Sequence, residues 1–406
     1  MVENIIFHID VNSAFLSWSA CDLLMRDVTA TDYRTVPAVI GGNQSTRHGI
    51  VLAKSLPAKK YGIITGEPLV DAKSKYPNLI VLPADYELYV RCSDSLMKLL
   101  MKFTPNVEQY SIDEAFCDFS GFEKLYGTPV TFAHELKDMI KAELGFTVNI
   151  GISSNKLLAK MASDFKKPDM VHTLFPWEIQ EKMWPLAVGD LFFVGKITEN
   201  RLKAFGINTI KELANTDMAW LCSIFNSYGR VLWNYANGFD IEIPTDEHAP
   251  NKGYGNSMTI KYDVTDIPTA NHYLLSLSEI VGMRLRADHV AVGVIAVSIV
   301  TCEFKRSTHQ MTFLSPTNIT SRIWDTACRL FAELWDKTPI RQLGIHTHRV
   351  CPEDNYQYTL FDMDNYDKYR SLDTAIDEIK ARFGDTAVQR ACFINDERQQ
   401  CHPRFM

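Results

Sequence analysis

An α+β protein of several domains is what the sequence predicts, and three observations carry that expectation. Over roughly the first 165 residues, strand and helix patterns alternate in a way suited to antiparallel pairing. From 185 to 238 the strand pattern gives way to short helices separated by glycines. Beyond a boundary near Lys252 the order reads β-α-β-β-α-β, a split βαβ sheet. A chain of 406 residues is long enough for two to four domains, each with its own core.

Residues 5–9 form an apolar run broken by His8, expected to be a buried strand that ends at Asp10; Asn12 or Ser13 then caps a helix through AFLSWSACDLLM. The segment 49–62, with VLAKSLPAKKYG, reads as a small basic lobe. ELYVRCSDSLMKLLMKF is helical, and NVEQYSIDEAFCDFSGF reads as two short strands meeting near Asp113 and Glu114. A helix TFAHELKDMIKAELG, a strand FTVNIGIS and a helix NKLLAKMASDF follow, and strands are expected to stop after Pro168. GFDIEIPTDEHAPNKGYGN, rich in Pro, Gly and acids, is the interdomain linker. The last sheet comprises SMTIKYDV, the helix NHYLLSLSEIVGMRLRA, the strand AVGVIAVSIVTCEF, a turn at KRSTH, the strand QMTFL, the helix NITSRIWDTACRLFAELW and the strand IRQLGIHTHRV. An acidic tail with one amphipathic helix at 372–383 closes the chain.

Composition excludes several classes. Apolar residues at 46%, charged at 22% and aromatic at 11% fit neither a disordered nor a fibrous chain. The longest apolar run, at 290–302, is too short to cross a bilayer, and the acidic start is unlike a signal peptide, so a cytoplasmic protein without a membrane partner is expected. Nine cysteines without a C-x-x-C pair point to reduced thiols rather than a disulfide frame or zinc ribbon. The net charge of −7 is concentrated in the tail, where residues 351–406 carry seven Lys and Arg against eleven Asp and Glu. Residues 241–350 carry eleven of each, so the overall sign does not exclude a nucleic-acid partner.

Three acids stand out: Asp10 at a strand end and the adjacent pair Asp113 and Glu114. Neighbouring side chains on a strand point to opposite faces, so this pair converges only at a turn or bulge, which the strand junction offers. Converging carboxylates suit Mg2+, which takes one or two of them together with substrate phosphates. Two such ions serve in-line phosphoryl transfer.

The stretches FHIDVNSAF, YSIDEAF, NIGISSNKLLAKMASDFKKPD and FVGKITENRLKAFGI occur in this order, and together they resemble the Y-family, or translesion, DNA polymerases over roughly residues 1–350. YSIDE and DVNS look closer to the bacterial UmuC branch than to the DNA polymerase IV branch. The resemblance implies a right-hand polymerase: palm at 1–20 and 75–165, small fingers at 21–74, helical thumb at 166–238, linker at 239–252, a β-α-β-β-α-β little finger at 253–350 and a tail at 351–406. It implies template-directed synthesis past damaged DNA with two Mg2+ ions, with primer-template DNA and deoxynucleoside triphosphates as substrates. Asp10 and Asp113 then ligate both ions, Glu114 the ion on the primer side, and the Val11 carbonyl the ion on the nucleotide side. Phe15 falls at the steric gate against a ribose 2'-hydroxyl. Where relatives often present Tyr and Arg to the triphosphate, this chain has Leu56 and Lys59, and Lys167 matches a palm lysine that meets the same group. A lysine neutralises phosphate without the bidentate contact of a guanidinium.

VGKITENRLKAFGI resembles a helix-hairpin-helix with Gly195 and Lys196 at its turn, a device that presents backbone N–H groups to a DNA phosphate. Lys252, Lys261, Lys305 and Arg306 near strand ends suit backbone contacts along a duplex. Gln357, Leu360 and Phe361 in QYTLF resemble the sliding-clamp-binding pentapeptide. Accessory subunits or a recombinase filament are further partners of the kind such a polymerase uses. Two rivals remain: a nucleotidyl cyclase explains the acids but neither the hairpin nor the last sheet, and a non-catalytic clamp- and DNA-bound repair scaffold leaves the retained acids without a purpose.

Overall fold

The computed structural model describes residues 4–42, 47, 49–240, 251–353 and 366–393. The chain divides into two compact units, Met1–Gly42 with Gly49–Pro244 and Asn43–His48 with Thr245–Met406.

The first unit opens with β1 (Ile6–Val11) and α1 (Ala14–Arg26). β1 extends through Val11, so Asp10 lies inside the strand and not at its exit. Ser13 precedes α1 in a left-handed conformation, φ 50°, unlike the extended backbone of an ordinary N-cap, and its side chain makes no capping bond. Ser17 Oγ instead donates to the Asn12 carbonyl at 2.6 Å.

The basic lobe contains β2 (Ala38–Gly41), β3 (Val51–Lys54), α2 (Leu56–Lys60), α3 (Leu69–Lys75) and β4 (Ile80–Pro83), with strand order β3-β2-β4. Ser55 caps α2 by accepting from the Ala58 amide at 3.1 Å. Val51, Ala58, Ile63 and Leu69 form part of the lobe's small core.

The chain continues through α4 (Tyr86–Leu100), β5 (Val107–Gln109), β6 (Glu114–Asp118), α5 (Glu123–Tyr126), α6 (Pro129–Leu144), β7 (Val148–Ser153) and α7 (Lys156–Ser163) to β8 (Val171–Thr173). β8 corrects the expectation that strands end by Pro168: it adds to the sheet edge parallel to β7, and three residues are too short to show a periodicity. The sheet order is β5-β6-β1-β7-β8. One face places Phe7, Ile9, Val11, Ala115, Cys117, Val148 and Ile150 in a core with Trp18, Leu96, Leu136 and Ile140. Each large side chain buried there contributes about 1.5–3 kcal/mol relative to exposure.

Alternation sends His8, Asp10, Glu114, Phe116, Asn149 and Gly151 to the other face. α7 crosses that face at Gly151, where a Cβ would lie 1.9 Å from the Ala159 carbonyl oxygen and 2.5 Å from the Ser163 amide nitrogen. Leu157, Leu158, Met161 and Ala162 of α7 pack into a helical lobe of α8 (Lys196–Ala204), α9 (Ile210–Ala214), α10 (Met218–Phe225) and α11 (Ser227–Ala236).

The second unit holds β9 (Gly255–Val264), α12 (Ile267–Ala287), β10 (Val290–Thr301), β11 (Arg306–Thr317), α13 (Thr320–Leu334) and β12 (Ile340–Pro352). Its strand order, β11-β10-β12-β9, inserts β12 between β9 and β10 and so makes the expected split βαβ sheet. The turn expected at KRSTH falls earlier: Arg306, Ser307 and Thr308 already pair with Val300, Ile299 and Ser298. α14 (Tyr366–Phe383) starts six residues before the expected 372–383. It is fastened by buried Asp373, which accepts from the Thr320 amide at 2.8 Å and from Arg286 Nη1 at 3.2 Å.

Candidate active site

Glu114 and Asn149 flank Asp10 in one row across the sheet, so Asp10 and Glu114 share a face by register alone. Asp113 precedes β6 in a turn closed by Tyr110 and Ser111, whose amides donate to the Glu114 carbonyl at 3.0 and 3.2 Å. The Asp113 carbonyl accepts from the Val11 amide at 3.0 Å. The turn is what frees adjacent acids from strand alternation, as the sequence required. Asp10, Val11, Asp113 and Glu114 therefore line one cleft of about 410 Å3, shared with Phe15, Lys54, Leu56, Lys59 and Lys167.

The acids are already bonded to cations and hydroxyls. Lys167 forms an ion pair with Asp10 and reaches Asp164 at 2.8 Å. Lys160 Nζ donates to Glu114 Oε1 at 2.6 Å, and Ser111 Oγ donates to Asp113 Oδ1 at 2.7 Å. Burial raises the Asp10 carboxyl to about 6 against the opposing pull of Lys167, with Glu114 adding to the rise. Burial lowers Lys167, but Asp10 and Asp164 together more than offset this and its pKa is raised. His8, fully buried, is driven down to about 2 by burial and then by Lys160 and Lys167, so it is neutral, with Nδ1 2.8 Å from Ser163 Oγ.

Among the described residues no three His, Cys, Asp or Glu side chains stand close enough to hold a metal as they are. The donor set nevertheless fits a hard divalent cation: carboxylate and carbonyl oxygens, one of the carboxylates destabilised by burial, and two ammonium groups seated on Asp10 and Glu114 where cations are favoured.

Phe15 lies at the cleft with its ring stacked on Tyr89 at 4.5 Å and 8°, and Tyr86 and Trp18 stand near it at 6.4 and 6.0 Å. Lys59 is exposed in the last turn of α2 on the cleft rim. Gly195 is the residue before α8, and Lys196 is exposed and paired with Glu199 at 3.0 Å. Lys252, Lys261, Lys305 and Arg306 are all exposed in the second unit, with Lys305 Nζ 2.8 Å from Glu303. Gln357, Leu360 and Phe361 lie outside the described residues.

Sequence reasoning missed Lys160, Ser163 and Asn149 and set His8 aside. Asn149 Nδ2 donates to the Ser163 and Lys166 carbonyls at 2.9 and 2.7 Å, which ties the end of α7 and the Lys167 loop to the acid row. Buried Lys160 is also capped by the rings of Tyr110 and Phe192, at 4.8 and 5.3 Å. The only signal for these residues was the position of NKLLAKMAS directly after a buried strand.

The model of the impB/mucB/samB family matches residues 9–164, and that of the family's C-terminal domain matches residues 251–360. The chain is 42% identical over 402 residues to DNA polymerase IV of Clostridium acetobutylicum, covering 98% of this chain and 100% of that protein. It is 34% identical to DNA polymerase IV 2 of Bacillus subtilis, covering 96% of this chain and 95% of the relative. Its fold is similar to that of a Y-family DNA polymerase chimera of Dbh and Dpo4, with a TM-score of 0.70, 21% identity, and 86% of this chain and 99% of the other covered. These full-length relatives carry the DNA polymerase IV name, so the leaning toward the UmuC branch gives way.

Proposed function

The chain belongs to the impB/mucB/samB family of Y-family DNA polymerases and is a template-directed DNA polymerase of the translesion class; from that premise we propose which of its residues carry the reaction. The observation that supports the assignment is the convergence of Asp10, Asp113 and Glu114 in a cleft that also receives cations from the small lobe. Asp10, Asp113, Glu114 and the Val11 carbonyl would hold two Mg2+ ions, which when bound activate the primer hydroxyl and stabilise the departing pyrophosphate. Lys160 pairs with Glu114, Lys167 opposes the burial that raises the Asp10 carboxyl, and Lys167 then turns from Asp10 to the triphosphate, with Lys59 facing it from the fingers. Phe15, held flat by Tyr89, occupies the space a ribose 2'-hydroxyl needs.

The thumb, through Gly195 and Lys196, and the little finger, through Lys252, Lys261, Lys305 and Arg306, grip backbone phosphates without reading sequence. Gln357, Leu360 and Phe361 engage a sliding clamp, and tethering to a ring on DNA raises the local concentration of the primer end. Such a protein works in the cytoplasm beside the chromosome.

Primer extension with Mg2+ tests the reading. The parent chain should extend a primer, and Asp113→Ala should lose roughly a thousandfold or more of that activity with primer-template affinity nearly intact, because the acid serves the transition state. Substantial extension by Asp113→Ala removes the two-metal assignment, and extension by the chain alone shows that accessory subunits or a recombinase filament are dispensable.

A further inference from the structure

Lys54 was not among the residues the sequence brought forward, yet it is placed as a site residue. It ends β3, half-buried, and with Leu52 and Ala53 beside it lines the same cleft as Asp10, Asp113 and Lys167. Among the described residues its ammonium has no hydrogen bond and no ion pair, and the same holds for Lys59 beside it. The acid within its reach, Glu67, is committed elsewhere: it pairs with Lys75, which also donates to the Gly62 carbonyl at 2.8 Å. Burial and then the charge of Lys59 hold Lys54 below the ordinary lysine range, Lys75 adds to the effect, and Glu67 opposes it.

Two like charges without a carboxylate between them raise each other's energy, and a multiply charged anion seated on both relieves the two together. Leu56, between them in the chain and lining the same cleft, offers no hydroxyl to such an anion. We propose that Lys54 is a triphosphate-binding residue of this polymerase, acting with Lys59 on the polyphosphate of the incoming nucleotide. The inference rests on the nucleotide placement given above and adds a residue to it.

Lys54→Met keeps the aliphatic stem and removes the charge. It should raise KM for the deoxynucleotide about tenfold with kcat changed far less, as loss of one charge-assisted phosphate contact does. Inorganic tripolyphosphate, titrated calorimetrically into the full chain without divalent ions, should bind about tenfold more weakly, and Lys54→Arg should restore both values. Because a like-charge contact is removed, the variant should melt no lower than the parent, whereas a merely structural lysine would lower the melting temperature. Unchanged KM and tripolyphosphate affinity in Lys54→Met overturn the inference. So does a loss confined to primer-template affinity, which would assign the charge to a DNA phosphate. A parent chain that extends no primer removes the polymerase placement itself, which is a separate outcome.

Discussion

The five-stranded sheet of the first unit and the four-stranded sheet of the second share a plan: helices cover one apolar face, and alternate side chains fill the other. The contents of that second face differ. In the first unit it carries Asp10 and His8, with Lys160 delivered from α7, all buried to 8% exposure or less and locked in pairs. In the second unit, alternation with the buried Val297 and Ile299 leaves neutral Ala296 and Ser298 there, with Ser298 Oγ 3.0 Å from His346 Nε2. Its cations, Lys261, Lys305 and Arg306, stand exposed instead. Buried charges interact strongly and must be matched, whereas exposed ones are screened and individually weak. The first face can therefore place cations at fixed points, and the second can only sum many weak contacts along a backbone.

The contrast is tested most severely at two glycines. Gly151→Ala would drive a Cβ into the backbone of α7, so a stability loss of about 3 kcal/mol in urea unfolding and a collapse of primer extension are expected. Gly344→Ala meets the Ser298 hydroxyl at 2.7 Å and Ser257 Cβ at 2.9 Å, and should cost nearer 1 kcal/mol with activity retained. Equal losses at the two sites would erase the distinction between the faces.

Next in size is sugar choice. Phe15→Ala should raise ribonucleotide use relative to deoxynucleotide by about a hundredfold in the ratio of kcat/KM values, because truncation removes a clash in a ring pinned by Tyr89. An unchanged ratio would return Phe15 to a packing role.

Acid sensitivity should follow the buried histidine. His8 has a depressed folded pKa, about 2, against 6.5 unfolded, so its contribution is full above pH 6.5 and is lost as pH falls below it. From pH 7.5 to 5 this amounts to about 2 kcal/mol, and His8→Gln should remove that part of the slope. Asp10, raised to about 6, is linked in the opposite sense: what its protonated form adds is present at low pH and lost as pH rises through 6. Identical slopes in parent and variant would mean that His8 is not held neutral.

The smallest effect belongs to the exposed cations. Replacing Lys305 and Arg306 together should flatten the salt dependence of DNA binding by two units at most, and by nearer one if Lys305 stays with Glu303. A slope that does not move would place the backbone contacts elsewhere on the second unit.

Legibility followed the range of the interaction. The β-α-β-β-α-β order was readable because 10- to 13-residue strands and long helices carry their periodicity in contiguous sequence. β2, β4 and β8, of three or four residues, were not, since so few positions define no period. The left-handed Ser13 was invisible for a related reason: a corner between two elements is set by where both are anchored.

By itself the sequence determined the longer strands and helices, the three acids that stand out, and the order of motifs that assigns the family, because each is written in residues close along the chain. Tertiary structure decided what those acids meet. Lys160 reaches Glu114 across 46 positions, and Lys167 reaches Asp10 across 157. Ser163 finds His8 across 155. The meetings of Lys160 and Ser163 depend on α7 lying directly on Gly151. No local pattern encodes such distances; they follow from packing, which places charges by geometry and makes burial and a second charge alter each of them.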